Sequence, residues 1–114
     1  MTYEEMVQKI VDTLDDRRAR DITVLDLSGV SETLDYFIIA TGESTLQIKA
    51  LEESVRETLK EQGELPKGVE GPSDRWILVD YGPVIVHLMS REARTFYDLE
   101  GLWADAERAD FTPA

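Results

Sequence analysis

The sequence predicts an α/β (α+β) fold in which a small mixed β-sheet of four to five strands is flanked by helices. Apolar residues recur at three- and four-residue steps in the stretches that begin at Tyr3 and Ile48, which is the period of a helix. Short runs rich in β-branched and aromatic residues lie between and after these stretches and indicate strands. The resulting order, α-β-β-α-β-β-α, is typical of a mixed sheet covered by helices. A chain of 114 residues suffices for one domain, with a short polar tail from about residue 107.

Capping signals locate the helices. Thr2 is followed three residues later by a glutamate, which is the spacing of a capping box and predicts a first helix. Ser44, followed at the same spacing by a glutamine, opens a second helix, and Gly63 is a common residue at a helix C-terminus. Ser90 is a candidate cap for a third helical segment, residues 91–102, which we expect to pack back on the sheet.

Strands are predicted where β-branched and aromatic residues cluster, at residues 22–27, 36–40, 76–81 and 84–89. Gly82-Pro83 separates the last two runs, which favours an antiparallel hairpin. The loop at residues 64–74 has room for a brief edge strand around Val69. The final residues, 107–114, are polar and are expected to fray.

Composition excludes several classes of function. Twelve basic and twenty-four acidic residues give a net charge of −12. Such a charge repels phosphate backbones, so we expect no direct nucleic-acid binding; it favours a basic protein partner, unless it serves only solubility. The absence of cysteine excludes disulfides, thiolate catalysis and cysteine-based metal sites. No apolar run approaches the ~20 residues that span a bilayer and no secretory signal is visible, so we expect a cytoplasmic protein without membrane contact.

A nucleotidyltransferase-type or nucleotide-binding enzyme is the first functional alternative. Gly42 and Ser44 lie in a turn between a strand and a capped helix, where a helix N-terminus could hold a phosphate. Such enzymes need two acids one residue apart on a following strand to hold magnesium, and that strand offers only Asp80. A helix cap after a tight turn therefore explains the motif better. We assign no catalytic, cofactor-binding or metal-binding residue.

His87, the only histidine, is the second candidate for chemistry. It could act as a general base with Asp80, which lies near the other end of the hairpin. No Ser, Cys or Lys is clearly presented as a nucleophile, and one histidine cannot form a zinc site without matching ligands. A hydrogen-bonded strand residue is the more common role of such a histidine.

Aromatic residues in the last third of the chain favour a binding surface. Trp76 follows a polar loop at the start of a strand, where one face of its ring can remain exposed. Tryptophan and tyrosine are common anchors of protein interfaces, although aromatic residues such as Tyr97 and Trp103 on the final helix more usually belong to the core. Acidic side chains nearby, such as Glu100, would speed encounter with a basic partner.

At these residues the chain resembles the ribosomal silencing factors, the Iojap-like family, from about residue 21 to residue 106. The motifs that carry the resemblance are Asp35-Tyr36-Phe37-Ile38-Ile39-Ala40-Thr41-Gly42, Gly68-Val69-Glu70-Gly71, Trp76-Ile77-Leu78-Val79-Asp80-Tyr81-Gly82, Val84-Ile85-Val86-His87 and the spaced set Arg94, Tyr97, Glu100 and Trp103. Several motifs in the right order make the resemblance specific. Pro83, where the family usually has an acid, and Thr45-Leu46, which replaces a more polar pair, depart from the family pattern.

The resemblance implies a nucleotidyltransferase-like fold without the catalytic acids. It also implies a translation repressor that binds the large ribosomal subunit through ribosomal protein number fourteen, blocks joining with the small subunit under nutrient limitation, and can form a homodimer. A ribosome assembly factor is an alternative that the sequence does not distinguish from this repressor. The implied partner-binding residues are Trp76, Asp80, Tyr81, Gly82, His87, Met89, Arg94, Tyr97, Glu100 and Trp103.

Overall fold

A computed structural model of the chain describes residues 1–71, 73 and 75–114. Pro72 and Asp74, which belong to the loop predicted at residues 64–74, lie outside the described residues. The elements, in chain order, are α1 (Tyr3–Asp16), β1 (Arg20–Asp26), β2 (Tyr36–Thr41), α2 (Thr45–Glu61), β3 (Gly68–Glu70), β4 (Trp76–Asp80), β5 (Val84–Met89), α3 (Arg91–Tyr97), α4 (Leu99–Leu102) and β6 (Glu107–Ala109). Within the described part, no helix is long and apolar enough to cross a bilayer.

The described strands form one six-stranded sheet, ordered β3-β4-β5-β2-β1-β6, where four to five strands were expected. β2 and β5 pair in parallel, and the other pairings among these strands are antiparallel. The predicted hairpin is confirmed: Gly82 turns with φ of +89°, and its N–H donates to the Asp80 carboxylate at 2.7 Å. β3 confirms the edge strand expected around Val69.

Helices cover the two faces of the sheet unequally. α1 and α2 pack on one face, which we call the closed face, and α3 and α4 pack on the other, the open face. Along β2 the side chains alternate as a strand requires: Ile38 and Ala40 join the core of the closed face, whereas Phe37 and Ile39 join that of the open face. β5 is buried along its whole length, in agreement with a sequence that is apolar at every position except His87.

The prediction of a single helical segment at residues 91–102 was wrong, because the chain turns at Asp98. This residue adopts a left-handed conformation, with φ of 44°, and ends α3. Its side chain then accepts from the N–H of Gly101 at 3.1 Å and so caps the short helix α4. Asp is one of the few residues besides Gly that tolerates this conformation. The helix therefore ends without the glycine that usually predicts such a break in a sequence.

The prediction that residues 107–114 fray was wrong for residues 107–109. Glu107–Ala109 form β6 along the free edge of β1. Beyond it, the ring of Phe111 meets that of Tyr36 edge to face at 5.7 Å. The backbone N–H of Ala114 donates to the carboxylate of Asp12 at 2.9 Å. The polarity of this segment led to the prediction of fraying. An open strand edge can nevertheless pair with a polar segment through backbone hydrogen bonds alone.

Candidate partner-binding groove

The open face contains a cavity of about 690 Å³ between β4 and α3. We call it the aromatic groove; its apolar lining is formed by Trp76, Leu78, Ala93, Phe96 and Tyr97. Glu70, Arg75 and Glu92 place charged groups around it. Exposed apolar surface of this kind is characteristic of sites that bind another molecule.

Local sequence explains why the groove forms at this place. Trp76 and Leu78 are two residues apart on β4, so their side chains project from the same face of the sheet. The backbone N–H of Ser90 donates to the carbonyl of Arg75 at 2.8 Å, which ties the start of α3 to the start of β4. The Ser90 hydroxyl then caps α3 by accepting from the N–H of Ala93 at 3.1 Å. α3 is too short to cover β4 completely, and the groove is the uncovered remainder.

Three aromatic rings contact one another along the groove. The rings of Trp76 and Tyr97 lie 4.6 Å apart between centroids at an interplanar angle of 48°, and Phe96 meets Tyr97 edge to face at 5.0 Å. Phe96 is 80% exposed and Tyr97 is 47% exposed. Phe96 was missed from the sequence. Two adjacent aromatic residues on one helix project about 100° apart, so they do not both point directly at the core. This spacing could have predicted that one of the two rings is exposed.

His87 lies behind the groove and is only 3% exposed. Its Nδ1 accepts a hydrogen bond from the indole Nε1–H of Trp76 at 3.1 Å, as expected for a hydrogen-bonded strand residue. Burial lowers the pKa of the imidazole to about 4. The alternative arrangement, in which His87 acts as a general base paired with Asp80, is not formed. His87 lies opposite Leu78 in the ladder, and the Asp80 carboxylate is bonded to the hairpin turn.

Arg94 is held inside the protein by hydrogen bonds that its guanidinium group donates to neighbouring residues. Its N–H groups donate to the carboxylate of Glu100 at 3.1 and 3.2 Å, and to the hydroxyls of Thr23 at 2.8 Å and Thr41 at 3.1 Å. A further bond joins it to the carbonyl of Asp21. Arg94 therefore ties α3 to β1, β2 and α4, and its donors are engaged without a partner molecule.

The remaining residues implied by the resemblance are mostly internal. Met89 is buried in the core of the open face, and Trp103 packs edge to face on Phe37 at 5.6 Å. Tyr81 is buried on the closed face, where burial raises the pKa of its hydroxyl to about 12. Of the ten residues, the structure therefore brings only Trp76 and Tyr97 into the aromatic groove.

The turn considered for nucleotide binding serves the packing of α2. The Ser44 hydroxyl accepts from the N–H of Gln47 at 3.0 Å, and the side-chain oxygen of Gln47 accepts from the N–H of Glu43 at 2.6 Å. A Cβ at Gly42 would stand 2.6 Å from the side chain of Ile48, so glycine is needed for close approach of the helix. Among the described residues, no three His, Asp or Glu side chains converge as metal ligands.

Fold and groove together define a small mixed α/β domain that presents a surface for binding. The sequence profile of the family described as "Ribosomal silencing factor during starvation" matches residues 1–114. The chain is 39% identical over 111 residues to "Ribosomal silencing factor RsfS" of Bacillus subtilis, which covers 96% of this chain and 94% of that relative. A crystal structure of a Chromobacterium violaceum protein has a TM-score of 0.88 at 37% identity, covering 100% of this chain and 95% of that one.

The chain therefore belongs to the ribosomal silencing factor family, which confirms the resemblance and the mixed α/β fold. It is a ribosome-associated regulator of translation rather than an enzyme. A more distant relative is the mouse "Mitochondrial assembly of ribosomal large subunit protein 1", which is 34% identical over 101 residues. The match spans 85% of this chain and 44% of that relative.

Proposed function

We propose that this chain represses translation in the cytoplasm by binding the large ribosomal subunit through ribosomal protein number fourteen. Bound there, it occupies the place of the small subunit and prevents joining when nutrients are limiting. The observation that carries the proposal is the aromatic groove, an uncovered apolar surface on a member of the ribosomal silencing factor family. A protein that acts by steric exclusion needs such a surface and needs no catalytic group.

In this proposal Trp76, Phe96 and Tyr97 contact the ribosomal protein directly. Exposed aromatic side chains are the usual anchors of protein interfaces, and covering them removes apolar area worth about 25 cal/mol per Å² from water. The residues implied by the resemblance that lie outside the groove support it or the fold: Asp80, Tyr81, Gly82, His87, Met89, Arg94, Glu100 and Trp103.

Charge supports a basic partner. The chain carries a net charge of −12, and Glu70 and Glu92 border the groove. Complementary charge accelerates encounter and selects the partner more than it tightens the complex. We therefore expect the association rate with large subunits to fall as salt is raised, while the dissociation rate changes little.

Cosedimentation with purified large subunits tests the proposal, together with light scattering of subunit joining. Wild-type protein is expected to bind large subunits and to inhibit joining in proportion to occupancy. Trp76→Ala should lose both activities, because it removes the central ring of the groove. Leu46→Ala is the matched control, since Leu46 is an apolar residue exposed at the start of α2, on the closed face. Normal joining at saturating protein would overturn the proposal.

Assembly of the large subunit is a second candidate function, because the mouse relative is named for the assembly of the mitochondrial large subunit. An assembly factor would bind precursor particles in preference to mature large subunits. Sedimentation of growing and starved cell extracts on sucrose gradients distinguishes the two. Co-migration with mature subunits in starved cells supports silencing, whereas co-migration with precursors in growing cells supports assembly.

The proposal also includes a homodimer of the free chain, which the family resemblance implies. Sedimentation velocity over a hundredfold range of concentration tests this part separately. A species of constant monomeric mass over the whole range would remove the dimer and leave the binding proposal intact.

A further inference from the structure

The Trp76–His87 pair links the surface of the groove to the buried part of the sheet. We propose that His87 is a positioning residue: its neutral imidazole accepts the indole N–H of Trp76 and fixes that ring in the orientation in which the groove binds its partner. This inference rests on the proposed function and adds to it a residue that touches no partner. It also explains how a buried histidine can matter for binding.

Donor and acceptor chemistry determines which nitrogen of His87 carries the proton. The indole Nε1 of Trp76 can only donate, so the His87 Nδ1 that lies 3.1 Å from it must present a lone pair. The proton of the neutral imidazole is therefore on Nε2. That nitrogen is buried and has no hydrogen-bond partner among the described residues. The edge-to-face contact with Phe37, at 4.6 Å between centroids, fills the space around the ring instead.

The ladder register explains why this bond controls the ring. Trp76 lies opposite Met89 in the β4–β5 pair, and His87 lies opposite Leu78, so the bond joins diagonal neighbours on one face. The indole is thus held between the imidazole, at 5.8 Å, and the ring of Tyr97, at 4.6 Å. Without an acceptor behind it, the indole N–H must reach water, which requires the ring to leave this position.

Nuclear magnetic resonance of the free protein tests the bond without any variant. The indole proton of Trp76 is expected to exchange with solvent more slowly than that of Trp103, whose indole donates to no described residue. The imidazole nitrogen shifts are expected to show a protonated Nε2 and an unprotonated Nδ1. A proton on Nδ1, or equally fast exchange of both indoles, would overturn the inference.

Binding to large subunits tests the consequence, with circular dichroism as the measure of folding. His87→Leu removes the acceptor and is expected to weaken binding roughly tenfold. His87→Asn places an amide oxygen near the former Nδ1 and should bind within about threefold of wild type. Trp76→Phe keeps a ring but removes the donor, so adding His87→Leu to it should weaken binding no further.

The outcomes separate the two proposals. Absence of wild-type binding to large subunits overturns the proposed function, and the positioning role with it. Normal binding by folded His87→Leu, or equal losses from His87→Leu with and without Trp76→Phe, overturns the positioning role alone. If His87→Leu does not fold, the resonance measurement on the wild type and the binding of His87→Asn decide the matter.

Discussion

The two faces of the sheet differ in how completely their helices cover them. On the closed face, α1 and α2 have 14 and 17 residues and bury a continuous apolar core. On the open face, α3 and α4 have 7 and 4 residues and leave Trp76 and Leu78 half-buried. Long helices thus stabilise the domain on one side, while short helices leave apolar surface free on the other. The comparison predicts that substitutions on the closed face change stability, whereas those in the groove change binding.

Leu51→Ala should have the largest effect on stability. Leu51 is fully buried in the core of the closed face, and its truncation leaves a cavity that the packed helices cannot fill. We expect the free energy of unfolding to fall by roughly 3 to 4 kcal/mol. Urea unfolding measures the loss, and Leu46→Ala on the same helix is the control, expected to change it by less than about 0.5 kcal/mol. Weaker binding by the folded Leu51→Ala protein would contradict the division between the faces.

Acid should destabilise the open face through His87. Burial lowers the pKa of His87 to about 4 in the folded protein, compared with 6.5 for the free side chain. The unfolded chain therefore binds a proton more readily than the folded protein does. The stability that the neutral His87 imidazole contributes is fully present above pH 6.5 and is lost as pH falls toward 4. The loss amounts to about 3 kcal/mol at pH 4.

The His87→Asn variant isolates that contribution, because the carboxylates titrate alike in both proteins. In urea unfolding, the free energy of unfolding of the wild type should fall by about 3 kcal/mol more than that of the variant between pH 7.5 and pH 4. A constant difference would show that His87 is not the acid-sensitive group. Alkali acts on the closed face instead. Because burial raises the pKa of Tyr81 from 10 to about 12, the unfolded chain loses this proton first, and the free energy of unfolding falls as pH rises above 10.

Local signals predicted the parts of the fold that depend on neighbouring residues. The capping serines, the Gly82 turn and the strand-bound His87 all follow from chemistry within a few residues. The sequence did not predict β6 or the break at Asp98, because β6 depends on a distant strand edge and Asp98 adopts a conformation usually signalled by glycine. The groove was only half predicted. Trp76 was predicted as an interface anchor from its position and Tyr97 only through the family resemblance, whereas the exposure of Phe96 depends on how α3 packs on the sheet.

The Arg94 network shows the same limit. Its bonds to Thr23 and Thr41 span 71 and 53 residues of sequence, so no local pattern could distinguish a contact residue from an internal tie. Arg94→Ala should lower the free energy of unfolding by about 2 kcal/mol, since it leaves the half-buried Glu100 without its main partner.

Hydrogen exchange locates that loss on the open face. Amides of α3 are expected to exchange faster in Arg94→Ala, while those of α1 change only with global stability. Arg94→Lys keeps the charge but not the two-pronged geometry, so it should restore less than half of the stability. Unchanged exchange in α3 would show that Arg94 does not hold this helix on the sheet.

Phe96→Ala should have the smallest effect on stability and a clear effect on binding. Phe96 is largely exposed, so its removal leaves no cavity, and alanine is the better helix former. We expect the free energy of unfolding to change by less than about 0.5 kcal/mol. Binding to large subunits should nevertheless weaken about tenfold, because the interface loses an apolar anchor. Leu102→Ala, an equally exposed apolar residue outside the groove lining, should change neither quantity. If both variants weakened binding equally, exposed apolar area in general would explain the effect, and the groove would lose its special role.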